Sequence, residues 1–259
     1  MHVSCLMITE GRPEFAEWAL WNYTKQTYID KDLVIVHGPN DHELLTLVKR
    51  KVPKQQVTLH EAPAGARVPV KRNIALRIAK GEILTWFDDD DWSSHERLDL
   101  TVKAYRDAQT SRPDIRLMEV MDKISYYHLP SKVAYKRLFG SWQYAIYDTA
   151  TAKTVEFEEW RKRGSDSHWY AAFATKIAGE EAGRRASVRN PNIHGIAHVE
   201  LQGLGFAVSH GKNVCNQLDR IRRMRHVKGE LEQQEFITND AEWETTLAHL
   251  EQIEGRLKA

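Results

Sequence analysis

The first hundred residues alternate between continuous apolar runs and segments of helical periodicity. The runs at 32–38 and 82–87 lack polar alternation, which is typical of strands buried on both faces. In order, the pattern predicts strands at 2–8, 32–38, 56–62 and 82–87, with helices at 14–26, 41–51 and 68–80 between them. Repeated strand–helix units of this kind predict an α/β fold with a mostly parallel central sheet flanked by helices.

The second half of the chain is less regular. Segments 115–129 and 131–140 are predicted to form the strands of a hairpin, a helix is predicted at 165–177, and late strands at 195–202 and 205–213. From residue 239 onward the pattern predicts an amphipathic helix. Its expected apolar face consists of Trp243, Leu247, Leu250 and Ile253.

Composition narrows the class of protein. The chain has 259 residues, 28% of them charged, and a net charge of +1, so binding to a polyanion would need a local basic patch. Cys5 and Cys215 are not at metal-ligand spacing, which suits a reducing compartment. The sequence shows no signal-peptide pattern. None of its apolar runs approaches the roughly 20 residues that a membrane span needs. We therefore expect a soluble, cytoplasmic protein without a transmembrane segment.

Four consecutive aspartates, 88–91, follow directly after the apolar run at 82–87. The carboxyl ends of parallel strands are where such sheets bind ligands. Carboxylate oxygens are the ligands that Mg²⁺ and Mn²⁺ prefer, and a metal held by one or two of them keeps positions open for phosphate oxygens. A solvated acidic loop is the alternative. The fusion of the run to a buried strand, between Trp86–Phe87 and Trp92, favours the metal site.

Two stretches resemble family-2 glycosyltransferases, which have the GT-A fold. They are "GARVPVKRNIALRIAKGEILTWFDDDDWSSHERL" and "VSCLMITEGRPEFAEWALWNYTKQTY", and together they cover about residues 3–98. The resemblance implies a Rossmann-like GT-A sheet and a nucleotide-sugar donor, with UDP as the expected nucleotide. It also implies one GT-A domain with a nucleotide-sugar-binding half at 1–98, an acceptor-binding and catalytic half at 99–214 with a smaller acceptor-side subregion, and a C-terminal helical extension at 215–259.

The same resemblance implies roles for residues of the first half. Asp88 and Asp90 occupy the acidic positions of the Asp-x-Asp motif, where Asp90 would bind Mn²⁺ or Mg²⁺ and Asp88 the ribose or the metal; Asp91 would lie near the phosphates. The expected nucleotide contacts are Thr9, Glu10, Arg12, Lys71 and Arg72. For Lys71 and Arg72 an exposed helix start is the alternative.

The turn after the second strand departs from the family. The family has an aspartate there that pairs with uracil, whereas this chain reads "VHGPND", with His37 and Gly38 at that place. Asp41 is a candidate substitute. The departure makes UDP a less secure donor nucleotide than the rest of the match implies.

The segment "RGSDSHWYAAF" resembles the part of the family that carries the general base. Asp166 then occupies the base position of an inverting transfer, with a helix cap as the alternative role and His168 as the rival base. The later "VSHGKNVCN" is similar to the family's His-Gly-x-Asn segment. It implies that His210 completes the metal shell or touches the diphosphate and that Asn213 contacts the donor; a structural histidine is the alternative.

The stretch 220–228, "RIRRMRHVK", is densely basic and is either a solvated helix face or a polyanion-binding surface. The expected acceptor is a hydroxyl on a glycan, on a glycolipid or on a hydroxymethylated base of viral DNA. The sequence is also compatible with two other classes of protein: a nucleotidyltransferase of similar fold and a non-catalytic nucleic-acid-binding protein. The C-terminal helix is compatible with a homodimer.

Overall fold

The computed structural model describes residues 1–121, 125–129, 133–137, 141–161, 165–180, 194–201, 203–209, 226–229 and 240–258. The strands are β1 (Val3–Thr9), β2 (Lys31–His37), β3 (Val57–Glu61), β4 (Ile83–Trp86), β5 (Asp91–Ser93), β6 (Leu117–Met121), β7 (Ser125–His128), β8 (Val133–Arg137), β9 (Ser141–Asp148), β10 (Ile196–Glu200), β11 (Gly205–Ser209) and β12 (His226–Gly229). The helices are α1 (Pro13–Lys25), α2 (His42–Lys51), α3 (Val68–Ile78), α4 (Arg97–Ser111), α5 (Thr149–Ala152), α6 (Ser165–Ala178) and α7 (Asp240–Lys258), with a 3₁₀ turn at Lys54–Gln56.

Seven of the described strands form a central sheet in the order β10-β6-β9-β4-β1-β2-β3. The pairs β1–β2, β1–β4, β2–β3 and β6–β10 are parallel, while β9 runs antiparallel to β4 and β6. The predicted α/β class with a mostly parallel sheet is confirmed. Because β1 and β4 are parallel neighbours, the loops that follow them leave the same edge of the sheet.

Both faces of the central sheet are covered, as continuous apolar strands require. Successive side chains of β1 point to opposite faces: Cys5 and Met7 pack with α1, α2 and α4, whereas Leu6 and Ile8 pack with α3 and α6. Burial raises the pKa of the Cys5 thiol to about 12, so Cys5 behaves as a small core residue. This confirms the interpretation of the apolar runs as doubly buried strands.

Five described strands form a second sheet in the order β12-β8-β7-β11-β5. The predicted hairpin is present as the antiparallel pair β7–β8, but β6 leaves it and joins the central sheet instead. Strand β5 begins at Asp91, the last residue of the aspartate run, and pairs antiparallel with β11. The aspartate loop therefore connects the two sheets.

The C-terminal helix α7 packs through three of the four residues of its predicted apolar face. Leu250 and Ile253 are buried against Phe15, Trp18 and Trp92, and Trp243 packs at the edge of this cluster. Leu247, however, is 40% exposed, while Thr246 and Glu242 are buried. The buried stripe includes residues 242, 246, 250 and 253, and Glu242 in it pairs with His95 at 2.9 Å. The prediction that Leu247 belongs to the buried face, which was based on hydrophobicity alone, is wrong.

Two further expectations concern the end of the chain. Residues 226–229 form strand β12, paired with β8, so this end of the basic stretch 220–228 is not a helix and the region 215–259 is not wholly helical. The remainder of that stretch, with His210 and Asn213, lies outside the described residues. None of the described helices has the length and apolarity that crossing a bilayer requires.

Candidate functional site

The aspartate run lies at the carboxyl end of β4, next to the carboxyl end of β1. Phe87 continues β4 by donating its N–H to the carbonyl of Leu6 at 2.8 Å, and the turn to β5 then holds Asp88, Asp89 and Asp90. Thr9 ends β1, and Glu10 and Arg12 follow it. The topology thus places the aspartate motif and the predicted turn of the first strand at one edge of the sheet.

Arg12 supplies positive charge to the middle of the run. Its guanidinium forms ion pairs with the buried carboxylate of Asp89 and, at 3.0 Å, with Asp90. Burial raises the pKa of Asp89 to about 7, although Arg12 lowers it, and the charge of Asp90 adds to the rise. Asp89 was not among the predicted site residues, and it is the member of the run that anchors Arg12.

Arg72 connects the aspartate run to the predicted base. It is buried, and its guanidinium lies over the rings of Trp86, 5.0 Å away, and Phe157, 5.5 Å away. Its guanidinium lies 3.7 Å from Asp88 and forms an ion pair with Asp166. Burial raises the pKa of Asp88, while the charge of Arg72 lowers it. The structure therefore brings Asp88, Arg72 and Asp166 together.

Lys71 is also buried, so the alternative of an exposed helix start does not hold for either basic residue of α3. Its ammonium group pairs with Glu10, whose side chain lies over Gly38. A Cβ atom at Gly38 would lie 2.5 Å from Glu10 Cγ, so a larger residue would displace the glutamate. Gly38, which stands where the family has an aspartate, thus makes room for the carboxylate of Glu10 from the turn after β1.

Asp41 has two structural partners. Its Oδ1 accepts the N–H of Leu44 at 3.2 Å and caps α2, and its Oδ2 accepts the N–H of Gly11 at 3.3 Å. These bonds tie the turn after β1 to the start of α2. A contact from Asp41 to a nucleobase would compete with both.

Asp91 is placed differently from the rest of the run. It is the first residue of β5, and its Oδ1 accepts the N–H of Val208 in β11 at 3.3 Å. Asn22 donates to the Asp91 carbonyl at 3.3 Å. Asp91 therefore ties the start of β5 to β11 within the second sheet and to helix α1.

Arg97, which was not among the predicted site residues, is buried beneath the aspartate loop. It donates to Ser93 Oγ at 2.8 Å, to Thr85 Oγ1 at 3.0 Å and to the carbonyl of Trp86 at 2.6 Å. Its guanidinium also stacks over Phe87 at 5.0 Å. The sequence signal that could have indicated it is the "ERL" a few residues after the aspartates, in which Arg97 is the first residue of a helix with an apolar face. Arg97 fixes both flanks of the run.

The carboxylates fit a divalent cation that is shared with a phosphate ligand. Asp88 and Asp90 keep 20% and 18% of their side chains exposed, so their oxygens can be reached from the edge of the sheet. Among the described residues, no three His, Cys, Asp or Glu side chains form a complete metal cage. Mg²⁺ and Mn²⁺ do not need one, because they bind through one or two carboxylates together with waters and substrate phosphates.

Asp166 and His168 lie on different sides of α6. Asp166, the second residue of the helix, faces Arg72 and lies 3.1 Å from Ser165 Oγ. His168 is exposed and lines a separate cleft with Glu156 and Glu158. Residues two apart on a helix do not share a face. Of the two candidates for the base, only Asp166 reaches the aspartate site through a described contact.

Comparison with known proteins places the chain in a family. Residues 4–160, more than half of the chain, match the family described as glycosyl transferase family 2. No curated protein matches the sequence significantly.

Solved structures share the fold at low identity. TarS from S. aureus in complex with UDP-GlcNAc matches with a TM-score of 0.61 and 18% identity, over 82% of this chain and 60% of that one. The mannosyltransferase PcManGT from Pyrobaculum calidifontis, in complex with GDP-Man and Mn²⁺, matches with a TM-score of 0.57 and 17% identity, over 86% and 60%. The chain thus spans about 60% of the length of both proteins. The predicted GT-A fold is confirmed, and the chain belongs to glycosyl transferase family 2.

Proposed function

We propose that the protein is a metal-dependent, inverting glycosyltransferase that moves a sugar from a nucleotide-sugar to an acceptor hydroxyl. The observation that carries this proposal is the contact of Arg72 with both Asp88 and Asp166. Through Arg72, Asp88, which is suited to bind a metal and a diphosphate, lies close to Asp166, which is suited to deprotonate an acceptor hydroxyl. Donor and acceptor chemistry would then meet at one edge of the sheet.

Asp88 and Asp90 are the proposed metal ligands. When bound, Mn²⁺ or Mg²⁺ would neutralise charge on the diphosphate leaving group. Arg12 keeps the loop in shape by pairing with Asp89 and Asp90, and it supplies further positive charge beside the phosphates. His210 as a metal ligand and Asn213 as a donor contact remain proposals from the sequence.

Glu10, Lys71 and Thr9 are the proposed nucleoside contacts. Glu10 is a stronger candidate for the base contact than Asp41. Asp41 caps α2 and binds Gly11, whereas the Glu10 side chain is half exposed and its partner is Lys71, another proposed nucleoside contact. TarS was solved with UDP-GlcNAc and PcManGT with GDP-Man and Mn²⁺. A UDP-sugar and a GDP-sugar are accordingly the first donors to test.

Asp166 is the proposed general base. An inverting transfer needs a base on the face of the sugar opposite the diphosphate, within reach of the acceptor hydroxyl. The ion pair with Arg72 keeps the Asp166 carboxylate near the proposed donor site. The reacting sugar would develop oxocarbenium character, as in glycoside hydrolysis.

A thermal-shift panel of nucleoside diphosphates and sugar nucleotides, with and without Mn²⁺, tests the proposal. A ligand at 100 times its dissociation constant adds about 2.7 kcal/mol to the free energy of unfolding. We expect a Mn²⁺-dependent rise in Tm with one sugar nucleotide, abolished in Asp90→Asn and kept in Asp107→Asn, whose carboxylate is exposed on α4 and pairs with Lys103. A nucleotide shift that is equal in Asp90→Asn would refute the metal assignment.

A further inference from the structure

Trp160 is unusual among the large apolar side chains of the described residues because 67% of it is exposed. The guanidinium of Arg161 stacks over its ring at 4.7 Å, and most of the indole remains accessible to solvent. We propose that Trp160 is a stacking platform for an uncharged saccharide, the acceptor side of the proposed transfer. This inference rests on the proposed function and adds a binding subsite and a ligand class to it.

The backbone that presents Trp160 is fixed. Asn73 accepts the N–H of Phe157 at 2.7 Å and donates to its carbonyl at 3.0 Å, while Arg67 donates to the carbonyl of Trp160 at 3.2 Å. The ring of Phe157 stacks on Trp169 of α6, with 4.9 Å between centroids and an angle of 6°. An aromatic ring on a fixed segment binds a ligand without the entropic cost of ordering a mobile loop.

The platform lies near the proposed base. Phe157 packs 5.5 Å from the guanidinium of Arg72, which in turn contacts Asp166. Three residues of extended chain span at most about 10 Å, so Trp160 lies within that distance of Phe157 along the backbone. An acceptor whose hydroxyl reaches Asp166 could place a neighbouring ring on the indole. Sugar rings present an apolar C–H face that suits the negative face of an aromatic ring.

The charges beside Trp160 decide between a saccharide and a nucleic acid, since bases also stack on aromatic rings. A cleft of about 470 Å³ adjoins the segment, and its charged rim includes Glu156, Glu158 and Glu180. No lysine or arginine is among the described residues that line it. Nucleic-acid binding relies on cations that are free to contact phosphates. Here Arg161 pairs with Glu158, and Arg77 lies 3.7 Å from Glu156, so these charges offset one another. The surroundings favour an uncharged saccharide.

The test uses a glycan array of neutral, amino-containing, sialylated and phosphorylated saccharides, with duplex and single-stranded DNA as competing probes. The variants are Trp160→Ala and Trp160→Phe. The control is Ile29→Ala, which alters a side chain that is 86% exposed at the amino end of β2, away from the site. We expect binding of a neutral saccharide that weakens about tenfold in Trp160→Ala and is retained in the other two variants.

Three outcomes would overturn the proposal: no saccharide is bound by the wild-type protein, saccharide binding is unchanged in Trp160→Ala, or anionic saccharides or DNA bind in preference to neutral ones. The nucleotide-sugar thermal shift, measured on the same preparations, separates this failure from that of the proposed function. Trp160→Ala should keep the wild-type donor shift. A wild-type protein without any donor shift would instead refute the transferase assignment itself.

Discussion

At the scale of residues, the central fact is how four adjacent carboxylates are accommodated. Arg12 pairs with Asp89 and Asp90, Arg72 lies beside Asp88, and Arg97 supports the loop from the core. A buried arginine among carboxylates offsets their repulsion and fixes their positions, because its planar guanidinium offers several donors. The loop is therefore neither a solvated acidic turn nor an uncompensated cluster of charge.

Asp166→Asn separates donor binding from transfer. The asparagine keeps the size of the side chain but cannot take a proton, so we expect unchanged sugar-nucleotide affinity and transfer slower by about 100-fold or more. Donor affinity is measured by calorimetry and transfer by release of the nucleoside diphosphate with a saccharide acceptor. His168→Gln is the comparison. A large loss in that variant, with Asp166→Asn near normal, would move the base to His168.

The raised pKa values in the aspartate loop predict that metal affinity depends on pH. The pKa of Asp89, which lies between the proposed ligands Asp88 and Asp90, is about 7, and the pKa of Asp88 is also raised. A bound cation disfavours protonation of both carboxylates, so metal binding and protonation oppose each other near neutral pH. We expect Mn²⁺ to bind about tenfold more tightly at pH 8 than at pH 6, with proton release, as linkage for one proton with this pKa requires. Calorimetry in buffers of different ionisation enthalpy measures both quantities. An affinity that does not vary over this range would contradict the assignment.

The raised pKa of Asp89 also predicts how the stability of the metal-free protein depends on pH. Metal affinity should rise with pH, whereas the free energy of unfolding should fall. The folded pKa of Asp89, about 7, exceeds its ordinary value of 3.8, so the folded protein binds more protons than the unfolded chain between these values. The free energy of unfolding of the metal-free protein should therefore fall as pH rises through this window. Guanidinium denaturation at several pH values tests this, and Asp89→Asn should remove the contribution.

At the scale of elements, sequence periodicity predicted the first half of the fold well. Strands β1 to β4 and helices α1 to α3 lie within a few residues of their expected bounds, because doubly buried strands and helices with Pro13 or Pro69 near their start carry strong local signals. The second sheet was not predicted, since the pairing of β5 with β11 joins residues more than a hundred positions apart. Local pattern contains little information on such pairing.

The candidate site shows the same contrast between local motifs, which the sequence reveals, and long-range contacts, which it does not. Thr9, Arg12, Arg72 and Asp88 came from motifs of known spacing, whereas Asp89 and Arg97 were missed because their roles depend on burial. The contact of Arg72 with Asp166 joins α3 to α6, and no spacing in the sequence indicates it. Residue types at a strand end are predictable from sequence, but the ion pairs between them require the fold.

Helix α7 offers a direct test of its observed face. Leu250 is buried against Phe15 and Trp18, so Leu250→Ala should lower the free energy of unfolding by about 2–5 kcal/mol. Leu247→Ala removes the same atoms from a side chain that is 40% exposed, and it should cost far less. Urea denaturation of the two variants measures the difference. Equal losses would mean that α7 docks through the face expected from hydrophobicity alone.

At the scale of the whole molecule, the aspartate loop is the junction of the two sheets. It leaves the central sheet at Trp86 and enters the second sheet at Asp91, where β11 binds the Asp91 carboxylate. The central sheet presents the loops proposed to bind the donor, and α6 brings the proposed base to the same edge. Substitutions that distort β4 or β5 should therefore also displace the proposed metal ligands, Asp88 and Asp90.

The most direct test of this account is a crystal structure with Mn²⁺ and the sugar nucleotide identified by thermal shift, recorded at the manganese absorption edge. We predict an anomalous peak within bonding distance of Asp88 or Asp90 and of the diphosphate, with Arg72 and Asp166 on the sugar side. A diphosphate bound elsewhere, or a manganese peak that touches neither aspartate, would contradict the proposed site.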